Sequence, residues 1–142
     1  MVSGQIADIE ACGKDCSKEF LDYIHLNKTA ALMISAVRAG AYIAGADHDR
    51  LMDLTNYAEC IGLAFQIVDD LLDVDGDESV TGKRSGKDKA LKKCTFPSIY
   101  GYDESLKRLD ELTNRAVEIL SPYYDEADFF INLAKDLAKR VK

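Results

Sequence analysis

Three aspartates, Asp69, Asp70 and Asp73, crowd the end of the stretch G-L-A-F-Q-I-V-D-D-L-L-D at residues 62–73. Carboxylates this close repel one another and are costly to bury as anions, so they call for a cation. A hard divalent ion such as Mg²⁺ suits them, because it takes one or two carboxylates, keeps waters and completes its octahedron with phosphate oxygens. The alternative is an ordinary acidic surface, the simpler explanation for an isolated D-D-x-x-D on a helix. Two neighbours weigh against it here: F-Q just upstream, and S-V-T-G-K-R-S-G-K-D-K-A-L-K-K downstream at residues 79–93. The downstream segment, basic and polar with Gly82 and Gly86, has the properties of a loop that folds over an anion.

Helices must position these groups. Leu51, Leu54, Ala58, Ile61, Phe65, Val68 and Leu72 alternate steps of three and four, which predicts a helix with one face packed into a core. Gly62, Gln66, Asp69 and Asp73 follow a second line on the same helix, with Asp70 one position off it. Asp47 or Asp49 caps its start, and it runs to about residue 75. Gly62 inside it costs about 1 kcal/mol relative to Ala, so a close packing contact is expected there. The D-V-D-G-D that follows fails as a calcium loop: counted from Asp73, the glycine is fourth rather than sixth, and the twelfth residue is Arg84 rather than Glu.

Upstream, Asp15 and Ser17 are caps for a helix starting near Lys18. Phe20, Ile24, Leu32, Ile34, Val37 and Tyr42 give a broad apolar face, with a bend near Asn27 and a C-cap at Gly45. Within it lies I-H-L-N-K-T-A-A-L; Lys28, a compact ammonium with three donors, can neutralise an anion's charge, or else is a solvated helix lysine. Downstream, Thr95 caps a short helix through residue 100, and Asp103 caps the next, whose stripe is Leu106, Leu109, Leu112, Ala116, Ile119 and Leu120. A last helix, roughly residues 125–142, carries Phe129, Phe130, Leu133 and Leu137. Strand signals and repeats are absent, so the chain reads as all-α.

Composition narrows the function. The 142 residues are one domain's worth, 47% hydrophobic and 30% charged, as in globular proteins. The formal net charge of -7 argues against nucleic-acid binding, which rests on clustered Lys and Arg. No apolar run approaches the roughly 20 residues that span a membrane. Cys12, Cys16, Cys60 and Cys94 show neither C-x-x-C nor a Cys/His zinc pattern, and read as free thiols in a reducing cytoplasm. His25 and His48 stand too far apart to form a ligand set.

Residues 62–73 resemble the second aspartate-rich motif of the trans-isoprenyl (polyprenyl) diphosphate synthases, G-x-x-F-Q-x-x-D-D-x-x-D, matched by Gly62, Phe65, Gln66, Asp69, Asp70 and Asp73. Three further stretches match in family order. Gln5 and Asp8 fit an opening Gly-Gln-Asp segment; Lys28 and Thr29 fit a lysine-threonine motif, with Ala30 where relatives often carry Gly. Gly82, Lys83, Gly86, Asp88, Lys93, Thr95, Phe96 and Pro97 fit G-K-x-x-G-x-D-x-x-x-x-K-x-T-aromatic-Pro. The likeness is strongest to short-chain bacterial farnesyl and geranylgeranyl diphosphate synthases.

The resemblance implies an all-α isoprenoid-synthase bundle around a deep cavity, a cytoplasmic enzyme and a family dimer or other homo-oligomer. It implies condensation of an allylic diphosphate with isopentenyl diphosphate under Mg²⁺. Asp69, Asp70 and Asp73 are then metal ligands, and Lys28, Lys83 and Lys93 diphosphate contacts. Lys28, Thr29, Gln66, Asp69 and Lys83 are the catalytic set. Only one D-D-x-x-D is present, so residues 1–142 correspond to the C-terminal part of the synthase domain, without the half that carries the first motif. The 142-residue chain is therefore expected to be inactive alone and to need a complementing N-terminal half. The competing expectation is a non-catalytic subunit that donates helices or binds diphosphate in a heteromer. A ferritin-like metal bundle is excluded, because its Glu-x-x-His pairs are missing.

Overall fold

The computed structural model describes residues 1–75 and 93–141. Its order is α1 (Val2–Ala11), α2 (Lys18–His25), a π-helical turn (Leu26–Ala30), α3 (Ala31–Ile43) and α4 (His48–Asp75). After the basic segment come α5 (Phe96–Tyr100), α6 (Tyr102–Leu120), a 3-10 stretch (Ser121–Ala127), α7 (Asp128–Ala138) and a 3-10 turn (Lys139–Val141). No strand occurs among the described residues, and the fold is all-α.

Local chemistry sets the helix ends. Ser17 Oγ accepts from the Phe20 amide at 3.2 Å and opens α2. Asp47 Oδ1 accepts from the Arg50 amide at 2.8 Å and opens α4. At the end of α3, Gly45 takes a φ of 75° that only glycine adopts freely, and the Ala46 amide reaches back to the Ala41 carbonyl at 3.0 Å. This left-handed cap satisfies carbonyls that the helix leaves open. Gly101 caps α6, and Asp103 sits in its first turn rather than at the cap.

Helix α4 is the axis of the fold, about 42 Å long at the standard rise, and packs against α3, the π turn, α5, α6 and α7. Covered on several sides, it buries more than one face. Tyr57, Ala64, Ile67 and Leu71 are buried with Ala58 and Val68, whereas Leu51, Leu54, Ile61, Phe65 and Leu72 are only half-buried. The single stripe expected from spacing lies at the edge of this face. On α6 the stripe is as expected, with Leu109, Leu112, Ala116 and Leu120 buried.

Two faces depart from expectation. On α3 only Ala41 is buried, while Leu32 and Tyr42 are 57% and 79% exposed, because nothing in the described chain packs on that side. On α7 the buried residues are Ala134 and Ala138, while Phe129 and Leu133 face outward; small residues let the short helix approach α6 closely.

The cysteines differ as well. Cys16 and Cys94 form a disulfide across a separation of 78 residues, while Cys12 and Cys60 are free. Local spacing cannot reveal this pairing, because it arises from the chain's return to the foot of α2 just before α5.

Two outcomes test this architecture. A Cβ at Gly62 would stand 2.6 Å from Ala30 Cα, so Gly62→Ala should lower stability by about 1–2 kcal/mol in urea unfolding, overpacking outweighing the helix-propensity gain. Thiol titration in denaturant without reductant should find two of the four cysteines reactive, and reduction should lower stability by about 2–4 kcal/mol. Four reactive thiols would contradict the Cys16–Cys94 pairing.

Candidate active site

Lys28 and Thr29 lie on the π turn between α2 and α3, where sequence predicts a bend. The Ala31 amide bonds back to the Leu26 carbonyl, the five-residue step of a π turn, and Asn27 Nδ2 donates to the Tyr23 carbonyl at 2.9 Å. Such widened turns recur at functional sites because they displace one residue from the helical ladder. Glycines clamp this turn from two sides. A Cβ on Gly4 of α1 would clash with the backbone at Lys28, and one on Gly62 of α4 would meet Ala30.

Lys28 Nζ donates to Asp8 Oδ2 at 2.8 Å, so the opening Gln5–Asp8 segment and the lysine motif converge. Lys28 and Thr29 line an open recess of about 440 Å³ with Met1, Val2, Gln5 and Ile6. Thr29 Oγ1 donates to Gln66 Oε1 at 3.0 Å, and Gln66 Nε2 donates to Asp70 Oδ1 at 3.1 Å. The Phe96 amide donates to Asp70 Oδ2 at 2.8 Å, and His25 Nε2 stands 3.4 Å from the same oxygen.

The three aspartates part ways. Asp69 is exposed and Asp73 half-buried, one helical turn apart on one face of α4, and carboxylates are the donor type that Mg²⁺ takes alongside waters and phosphate oxygens. Asp70 is 3% exposed with both oxygens engaged inside the protein. Among the described residues no group of three or more His, Cys, Asp or Glu is arranged to hold a metal alone. Asp69 and Asp73 do not line the recess at Lys28. Lys93 is half-buried, and Lys83 with the rest of the basic segment lies outside the described residues.

The sequence also matches the polyprenyl synthetase family model over residues 1–122. The chain belongs to the polyprenyl synthetase family. It is 42% identical over 141 residues to a geranylgeranyl diphosphate synthase of Cyanophora paradoxa, covering 93% of this chain and 47% of that protein. It is 41% identical over 128 residues to the farnesyl diphosphate synthase of Escherichia coli, covering 89% of this chain and 43% of that one. A solved geranyltransferase of Helicobacter pylori, complexed with magnesium and isoprenyl diphosphate, superposes with a TM-score of 0.80 at 25% identity, over 98% of this chain and 46% of the other. The chain thus spans about half the length of the relatives it matches.

Within this polyprenyl synthetase chain, sequence reasoning missed His25. It is 2% exposed, stacks on Phe96 at 5.4 Å between ring centroids, and faces Asp70. Its position four after Leu21 and one after Ile24, both buried, was the available signal. Burial first, and the Lys28 ammonium second, push its pKa down to about 4, against the pull of Asp8. Nε2 of the ring faces Asp70, and the buried Nδ1 has no partner.

The unfolded chain therefore binds the extra proton between pH 6.5 and about 4, and folding stability falls as pH drops through that window. The loss attributable to this group is of order 3 kcal/mol at its lower end. His25→Phe should flatten that part of the urea-unfolding pH profile; an unchanged slope would mean that His25 is not the group responsible.

Proposed function

We propose that this chain forms the diphosphate-gripping half of a prenyl-elongating enzyme that condenses an allylic diphosphate with isopentenyl diphosphate. The observation that carries this reading is the Thr29–Gln66 hydrogen bond, which ties the lysine-threonine turn to the aspartate helix. The family membership and the magnesium and isoprenyl diphosphate of the Helicobacter pylori structure support it.

Asp69 and Asp73 would hold Mg²⁺ on the exposed face of α4, and Lys28, Lys83 and Lys93 would meet the diphosphate oxygens. Bound Mg²⁺ supplies positive charge to the departing diphosphate. Lys28 is half-buried and aimed by Asp8, so its ammonium is held in place at the recess for an incoming anion. Thr29 and Gln66 form a polar stretch of wall against which the allylic carbon ionises, and the apolar Val2 and Ile6 help keep water from it. The isopentenyl double bond then attacks the allylic cation, and a proton leaves.

The exposed apolar residues Val2, Ile6 and Ile9 on α1, with Leu32, Tyr42 and Ile43 on α3, favour packing against further helices, whether of a complementary half or of another subunit. A non-catalytic, helix-donating subunit remains the second reading, favoured by the same faces.

Ionisation needs charge on both sides of the leaving group, and losing even one preorganised element commonly costs ~10²–10³ in rate. The 142-residue chain with Mg²⁺ should therefore show no useful prenyl transfer alone. Turnover should appear when it is mixed with the N-terminal half of a full-length relative carrying the first aspartate-rich motif. Vigorous turnover by the chain alone would refute the division of labour, and none in the mixture would favour the non-catalytic subunit.

A further inference from the structure

We propose that the Cys16–Cys94 bond is a redox modification site: a dithiol of the C-x-x-C oxidoreductase class opens it, and opening loosens the foot of α5 from the chain ahead of α2 without unfolding the bundle. Cys16 is half-buried, with its Sγ at the surface 3.6 Å from the Ser17 carbonyl oxygen, whereas Cys94 is 5% exposed. An incoming thiolate therefore meets Cys16 Sγ rather than Cys94 Sγ. It forms a mixed disulfide on Cys16, and Cys94 leaves as a thiolate that takes up the proton the nucleophile gave up. The reductant's second thiol then attacks its own sulfur in that mixed disulfide, releases Cys16 as a thiol and closes the reductant's internal disulfide. Two thiols are consumed and two appear, so no other electron donor is needed.

Contacts that need no covalent bond span the same junction. Phe96 stacks on His25 at 5.4 Å between centroids and on Tyr100 at 4.8 Å, and the Lys18 ammonium stands 4.8 Å over the Tyr100 ring. A capping box between Thr95 and Ser98 starts α5. These contacts keep α5 in place after opening, but a helix of five residues has little stability of its own, so it opens more often once the tether is gone. Cys60 stays out of the exchange, because it is buried and burial raises its thiol pKa.

The bond also reaches the site. Cys94 lies between Lys93 and Thr95, and Cys16 stands two residues ahead of α2, which leads into the π turn that carries Lys28. The bond thus restrains one lysine relative to the other, and breaking it weakens the grip on diphosphate, a consequence that rests on the proposed function.

Millimolar dithiothreitol, without denaturant, should open the bond within about an hour. Iodoacetamide should then label Cys16 and Cys94 in separate tryptic peptides while far-UV circular dichroism stays unchanged, and oxidised dithiothreitol should restore the bond. Opening should speed hydrogen exchange of the Ile99 and Gly101 amides, which donate to the Thr95 and Pro97 carbonyls, by about tenfold. It should weaken binding of Mn²⁺ with inorganic pyrophosphate, read by electron paramagnetic resonance, by about threefold or more. Cys16→Ser should show both changes without any dithiol. A bond that opens only in denaturant, helicity that collapses on opening, or equal α5 exchange in the two forms would overturn the proposal. Equal pyrophosphate affinity in the two forms would overturn the link to the site. Absence of Mn²⁺ and pyrophosphate binding in both forms would refute the reading of the site, with the redox site then judged by labelling and exchange alone.

Discussion

The carboxylate of Asp70 lies where an anion without partners would cost several kcal/mol, so the chain around it is arranged to supply donors. Gln66 comes from one turn earlier on α4 and Phe96 from the first residue of α5, 26 positions away. His25, at the end of α2, brings a ring that stacks on Phe96 and stays neutral. Three helices are thereby fixed to one point near the end of α4. Cys94, bonded to Cys16 just ahead of α2, fastens the same junction covalently.

Steric constraint does for the π turn what hydrogen bonding does for Asp70. Gly4 and Gly62 let two helices press on the backbone at Lys28 and Ala30 from different directions. A widened turn would otherwise be free to relax into a regular helix, which would rotate Lys28 away from Asp8. The small residues have a functional result: they hold an ammonium group in a half-buried position without surrounding it by carboxylates. Desolvation costs less for a lysine paired once and left open to a recess than for one fully enclosed.

Much of this was legible in the sequence because it is local. The caps at Ser17, Asp47 and Gly45, the stripe on α6, the bend near Asn27 and the packing need of Gly62 all follow from residue types at short range. The site was legible as a set of motifs, and the structure joins the opening segment, the lysine turn and Gln66 by contacts that spacing alone could not supply. Helical geometry puts Asp69 and Asp73 on one face, but the direction of Asp70 depends on α5, which returns from beyond the basic segment. The Cys16–Cys94 bond and the buried His25 were hidden for the same reason. Both depend on which distant strip of chain comes to lie against α2.

The exposed faces of α1 and α3 bear on how far the chain can act by itself. Helical faces bearing Ile6, Ile9, Leu32, Tyr42 and Ile43 are built to be covered, and their apolar area in water is a standing cost. Lys28 and Thr29 line a recess together with Val2 and Ile6 of α1, so whatever covers that face of α1 also walls the site. Stability and chemistry are therefore coupled through one surface: a partner that buries Val2 and Ile6 also lowers the dielectric around Lys28. An ammonium in drier surroundings attracts diphosphate more strongly, because the same charges act through less screening. In the open state the Asp8–Lys28 pair stands half in water. Closing the recess would strengthen that pair and its competition with an incoming anion together, so the balance between Asp8 and diphosphate depends on the face that α1 presents.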